Sequence, residues 1–188
     1  MGKLHDAVEG PLRDFIAAQH VFFVATAPSG AGGHVNVSPK GLDTFRVLGP
    51  REVAYLDYPG SGVETIAHLR ENGRITLMFC AFEGPPKIVR LHGRGRAVEP
   101  DHANFPQLLA DFSEQASRVR SVIVIDVERI SDSCGYGVPL FAYQGEREQL
   151  FRWVEKKGDA GLVEYQRQKN AQSIDGLPGL AWTERDPD

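Results

Sequence analysis

From Val21 to Val98 the chain is cut into short runs rich in Val, Ile, Phe and Tyr, separated by clusters of Gly, Pro, Ser and Asn. Such a pattern is the signature of antiparallel strands. Strands are predicted at Val21–Ala27, His34–Ser38, Thr44–Leu48, Glu52–Asp57, Arg74–Phe82 and Lys87–Val98, with a further one at Ser121–Ile130. Turns fall at Pro28-Ser29-Gly30, Gly49-Pro50 and Glu83-Gly84-Pro85-Pro86. This many strands exceed what one flat amphipathic sheet can shelter, and closure into a barrel removes the exposed edges. The fold class that follows is mainly β, a small barrel with peripheral helices.

Helices are expected around that barrel. Val8–Gln19 carries Leu12, Phe15 and Ile16 at helical spacing, with Pro11 suited to a first turn, and is expected to lie on the barrel as a lid. Ser61-Gly62-Val63-Glu64 reads as a capping box opening a helix that presents Ile66, Ala67 and Leu69 on one face and ends at Asn72-Gly73. Asp101–Phe112 reads as helical with Pro106 kinking or splitting it. Glu146–Lys156 and Asp159–Lys169 read as two charged amphipathic helices, and irregular chain is expected from Asp175 on. A length of 188 residues, 41% of them hydrophobic, suits one sizeable core rather than two. A single domain over residues 1–188 is therefore expected, with a helical C-terminal extension from about 146.

Composition removes several function classes. The formal charge is −4 and Lys and Arg never gather into a block, which argues against nucleic acid as a partner. The longest apolar run, Ile75 to Phe82, is too short to span a bilayer, and the first residues lack the apolar core of a secretory signal. A cytoplasmic protein without membrane partners is expected. Cys80 and Cys134 are too few for a disulfide framework; Cys80 reads as core and Cys134 as a turn residue. The histidines at 5, 20, 34, 68, 92 and 102 show no metal-ligand spacing, so no metal site is expected. Neither a GxSxG elbow nor a Walker loop is present. Chemistry from side chains alone is poorly provided for, which favours a bound cofactor bringing its own reactivity.

Three features suit an anionic cofactor. The strand Glu52–Asp57, the loop Tyr58-Pro59-Gly60-Ser61-Gly62 and the helix start behind it can hold a phosphate, with Ser61 and Thr65 adding hydroxyls. The alternative for Ser61 is to cap its own helix. In Asn36-Val37-Ser38-Pro39-Lys40-Gly41, Pro39 is expected to free the chain from the ladder so that the Lys40 ammonium projects from the rim. On the long strand Lys87–Val98, Arg90, His92, Arg94 and Arg96 share one face. Arg94 and Arg96 fit an ion-paired outer face, and Arg90 is the candidate for reaching an anion or a partner subunit.

The order of these motifs resembles the pyridoxamine 5′-phosphate oxidase-related FMN-binding split β-barrel family. The resemblance spans about residues 10 to 130 and rests on Asn36 to Gly41, Val53 to Asp57, Leu69-Arg70-Glu71-Asn72, Arg74 to Phe79 and Lys87 to Gly93. It implies FMN held between the two subunits of a homodimer. It also implies contacts from Asn36, Val37, Ser38 and Lys40 on the first strand, from Tyr58, Ser61, Gly62 and Thr65 in the phosphate loop, and from Arg90 on the later strand. The chain departs from the vitamin B6 oxidases in two places. The loop lacks their Ser-Arg-Lys run, and the tail Gly179-Leu180-Ala181-Trp182-Thr183-Glu184-Arg185-Asp186 lacks their basic substrate-holding segment. The resemblance therefore implies an FMN-dependent oxidoreductase acting on a small-molecule substrate other than pyridoxamine phosphate. The other readings are a non-catalytic flavin or pyridoxal phosphate binder, and a split barrel using a deazaflavin or haem, for which His34, His92 and Cys134 are the candidate ligands.

Overall fold

The computed structural model describes residues 2–112 and 118–184. In chain order the elements are β1 (Leu4–His5), α1 (Gly10–Ala17), β2 (Phe22–Thr26), β3 (Asn36–Lys40), β4 (Phe45–Gly49), β5 (Glu52–Asp57) and α2 (Glu64–Asn72). There follow β6 (Arg74–Cys80), β7 (Ile88–Val98), α3 (Phe105–Leu109), β8 (Ser121–Ser133) and α4 (Gln149–Lys169), with a 3-10 turn at Ala181–Glu184. Each predicted strand has a counterpart. The short β1, which pairs with β8 through Leu4 opposite Ser131, has too little sequence to signal itself.

The strands pair antiparallel in the order β3-β2-β6-β7-β8-β5-β4. β2 and β4 stand near opposite ends of that order, yet the Phe22 ring meets Phe45 at 5.5 Å and Tyr55 of β5 at 5.6 Å. The sheet is therefore curled until its ends face each other. Among the described pairings no ladder joins β3 to β4, so the closure expected of a full barrel is not reached. The two edges meet through side chains instead, with Phe22, Phe45 and Phe79 packed edge to face or stacked.

Alternation sorts the strands into faces. Phe22 and Val24, Leu77 and Phe79, and Val89 and Leu91 point inward, where Leu12 and Ile16 of α1 and Ile66 and Leu69 of α2 complete a common core. On the other side of β5 and β8, Ala54, Leu56, Val122 and Val124 pack with Phe105 of α3 in a second cluster.

Local chemistry corrects several expectations. β3 runs through Pro39 to Lys40, in register with Phe23 and Phe22, rather than ending at Ser38. An edge strand has a neighbour on one side only and tolerates a proline there. The Ser61 capping box does not form: α2 starts at Glu64 with Val63 at its N-cap and no side-chain cap. Ser61 stands two residues too early, and the Glu64 carboxylate accepts the Ile174 N–H at 3.3 Å. The other end is as expected, with Gly73 in the left-handed region (φ 71°) giving its N–H to Leu69. The helix expected over Asp101–Phe112 shrinks to Phe105–Leu109. Pro106 lies in its first turn, where a missing N–H costs nothing, so proline opens the helix instead of kinking it. Gly158 (φ 63°, ψ 173°) breaks α4 into the two expected segments, the first starting at Gln149.

The tail from Asp175 has the irregular backbone expected of it up to the 3-10 turn, but it is not loose. Leu180 is fully buried in the main core. Glu99 accepts the Ala181 N–H at 2.9 Å, and Arg70 donates to the Gly179 carbonyl at 2.6 Å. Residues 185–188, the end of that expected irregular stretch, lie outside the described residues. No helix among the described residues is long and apolar enough to cross a membrane.

Candidate functional site

β5 ends in a carboxylate with no exposed surface. Asp57 receives Arg120 Nε at 2.7 Å, the Ser121 hydroxyl at 3.3 Å and Lys40 Nζ at 3.1 Å. Burial by itself would raise its pKa, but the charges and hydrogen bonds of Arg120 and Lys40 outweigh that and hold it at about 2. Arg120, itself 5% exposed, also gives Nη1 to the Gly60 carbonyl at 3.3 Å. The Asn170 amide donates to the same carbonyl at 2.9 Å. The loop between β5 and α2 is thus tied down from two sides.

Beside this ion cluster lies a row of neutral polar groups. Asn36, Ser38 and Lys40 alternate with the exposed Val37 and Pro39 along β3, so all three turn to the inner face. The Asn36 amide donates to Thr26 at 3.2 Å and to Thr65 at 3.0 Å, and the Ser38 hydroxyl donates to the Asn36 carbonyl oxygen at 3.1 Å. Thr26 in turn meets His68 Nδ1 at 2.9 Å. The Tyr55 hydroxyl and His68 Nε2 are buried without a partner. Burial, with Asp57 close by, pushes the Tyr55 phenol well up, so it stays neutral.

The structure gathers Asn36, Ser38, Lys40 and Thr65 into one cluster. Lys40 does not project freely, because it leans on Asp57 and lies 5.9 Å over the Tyr55 ring. Tyr58 is partly buried in an edge-to-face contact with Phe151 at 5.6 Å, while Ser61 and Gly62 are exposed. Val37 and Arg90 are not part of the cluster. Val37 is 62% exposed, and Arg90, aligned with Met78 and Ser131, stands on the outer face and donates to Ser133 at 3.0 Å. Arg94 and Arg96 are ion-paired, with Glu128 and with Glu52 and Asp126. His34 is tied to Asp175 at 2.6 Å, His92 meets Thr76 at 3.0 Å, and Cys134 is an exposed thiol. Among the described residues no group of three or more His, Cys, Asp and Glu is placed to hold a metal ion.

Sequence reasoning missed Asp57, Arg120 and His68 as members of the site. Asp57 did carry a signal, since a carboxylate closing an otherwise apolar strand needs a cation once buried. Arg120 and His68 carried none, because their partners lie 63 and 42 residues away.

Three comparisons bear on this geometry. The sequence profile described as pyridoxamine 5′-phosphate oxidase matches residues 9–134. A pyridoxamine 5′-phosphate oxidase family protein of Aspergillus flavus, ustO, is 42% identical over 204 residues, covering 99% of this chain and 81% of that protein. Among solved structures, HupZ of Group A Streptococcus superposes with a TM-score of 0.52 at 22% identity, over 67% of this chain and 99% of that one. A Clostridium acetobutylicum protein related to general stress protein 26, of the pyridoxinephosphate oxidase family, gives 0.50 at 11% identity, over 65% and 84%. The fold is the split β-barrel.

The Asp57 cluster sets an acid limit on stability. Its folded-state pKa of about 2 lies below the ordinary 3.8, so its contribution is complete above about pH 4 and is lost as pH falls toward 2. The amount at stake is about 2 kcal/mol. Asp57→Asn should abolish that part of the acid dependence and, by leaving Arg120 buried without its counter-charge, cost about 3 kcal/mol at pH 7. Urea unfolding at pH 7 and across pH 4 to 2 checks both; an unchanged acid limb in the variant would count against the assignment.

Proposed function

The chain belongs to the pyridoxamine 5′-phosphate oxidase family, and on that premise we propose that it is an FMN-dependent oxidoreductase whose cofactor phosphate sits between Lys40 and the loop that opens α2. One observation carries this reading. Asp57 Oδ1 takes a single hydrogen bond from Lys40, and an ammonium has three donors, so the cation is held in place by Asp57 with protons still to give. The Ser61 hydroxyl supports it, because it is exposed and not spent on capping α2.

The donor set fits a phosphate monoester. Lys40 supplies the charge, Ser61 and the N–H groups near Gly62 and Thr65 supply neutral donors, and Arg120 fixes the loop through Gly60 while neutralising Asp57. Bound FMN would bring the redox chemistry, accepting or donating a hydride. The protein's part is to orient it along β3 through Asn36, Val37 and Ser38 and to keep water from its phosphate. The loop has one cation fewer than two phosphate charges require, so affinity leans on Lys40. Oxidation of pyridoxamine phosphate is not assigned to this chain, for want of the cationic loop and the basic tail, and its small-molecule substrate is left unnamed. We read residues 1–188 as one cytoplasmic domain.

The same reading makes the protein a homodimer. Val35 and Val37 are 71% and 62% exposed, next to the partly exposed Phe23 and Met78 and to Arg90. A second copy seated there would cover this apolar face and bring Arg90 toward the cofactor of its partner. Val37→Asp should halve the mass seen by light scattering at micromolar concentration; a wild-type protein that is monomeric with FMN bound would refute the dimer.

A non-catalytic flavin carrier is the second reading, and it too has an observation behind it. Asp57 and Lys40 are locked to each other and Tyr55 stays neutral, so the cluster has no obvious acid or base at work near pH 7. Reduction of the bound flavin by NADH or NADPH separates the two, and we expect bleaching of its visible absorption within minutes.

The placement of the phosphate is tested with two ligands. Lys40→Ala should weaken FMN binding by about 10- to 150-fold, the equivalent of losing roughly 1.5–3 kcal/mol of charge-assisted hydrogen bonding. Riboflavin, which has no phosphate, should bind the two proteins about equally. Equal weakening of both ligands, or of neither, would move the phosphate elsewhere.

A further inference from the structure

One buried imidazole has no part in holding the phosphate. His68 is fully buried on α2, and burial lowers its pKa against the opposing pull of Asp175, Glu64 and Glu71. It is neutral near pH 7 and carries one ring proton. Thr26 Oγ1, which faces His68 Nδ1 at 2.9 Å, already accepts the Asn36 amide at 3.2 Å. Its own proton has no other acceptor among the described residues, so it goes to Nδ1. The imidazole proton is then on Nε2. Asn36, having given both amide protons to Thr26 and Thr65, has its carbonyl oxygen left, and that oxygen takes the Ser38 proton. Ser38 is left with lone pairs alone.

We propose that His68 is a positioning residue which, through Thr26 and Asn36, holds Ser38 as a hydrogen-bond acceptor, so that the ligand beside Lys40 has to offer it a hydroxyl or N–H donor. This rests on the reading of Lys40 as the phosphate anchor. Ser38 and Lys40 are two residues apart on one face of a strand, roughly 7 Å along it. The ligand class that meets both is a polyol phosphate, with an anion at one end and hydroxyls along the adjoining chain. Had the relay run the other way, with Nδ1 donating to Thr26, Ser38 would be a donor suited to a phosphate oxygen. A polar group built to receive a donor discriminates against a ligand that lacks one.

The test uses the full chain, FMN, and a flavin whose phosphate is carried on an unbranched pentyl chain without hydroxyls. The wild type should prefer FMN. Ser38→Ala and Thr26→Val should each cut that preference by about five- to tenfold, the loss of one neutral hydrogen bond, while affinity for the pentyl analogue hardly changes. Thr26→Ser keeps the hydroxyl and should keep the preference, which separates positioning from a general loss of packing. Nitrogen-15 NMR of the wild-type imidazole should place its proton on Nε2. A proton on Nδ1, or an undiminished preference in Thr26→Val, overturns the proposal. If instead Lys40→Ala leaves both phosphate ligands unaffected, the phosphate placement fails, and the tautomer still decides the direction of the relay.

Discussion

A carboxylate without solvent contact cannot stand alone in a β core, and Asp57 is satisfied by residues from three parts of the chain. Arg120 comes from the approach to β8, Ser121 from the first residue of that strand, and Lys40 from the far edge of the sheet. Replacing any of them exposes the desolvation penalty of the others. The curl of the sheet, the path of the loop after β5 and the placement of the rim lysine are therefore one problem with one solution. In this fold, the interaction that joins the split edges also sets the direction of the cation offered to a ligand.

The alternation of β3 divides labour between two faces. Its inward row of Asn36, Ser38 and Lys40 faces polar groups of β2, β5 and α2, while its outward row of Val37 and Pro39 stays bare. Arg90 shares the outward side across the sheet. A ligand gripped by residues from both rows has to lie where two copies of the chain meet, and this physical reason makes the family's dimer and its cofactor site a single feature. The proline tolerated at the edge reinforces the arrangement, since a strand that cannot donate at Pro39 makes a poor template for adding further strands.

Much of the architecture was legible in the sequence because strand periodicity and turn chemistry are local. β5 came out with its ends as predicted, and the αL glycine after α2 was marked by Asn72-Gly73. Local rules failed where two of them competed. Ser61 to Glu64 satisfied a capping pattern, yet the helix began two residues after Gly62 because Glu64 had a partner in the tail. Pro39 looked like a strand terminator, and edge position overrode it.

The sequence by itself determined the element types, the mainly β class, the family resemblance and most of the residues that gather at the rim, since each depends on side chains a few positions apart. Tertiary structure alone decided that Lys40 is braced by Asp57, that Arg120 and His68 belong to the site, and that Val37 and Arg90 turn to the other face. Those outcomes depend on desolvation and on hydrogen bonds between segments 17 to 63 residues apart. The energy of a buried charge is set by what folding brings beside it, and that neighbour is written nowhere near it in the chain.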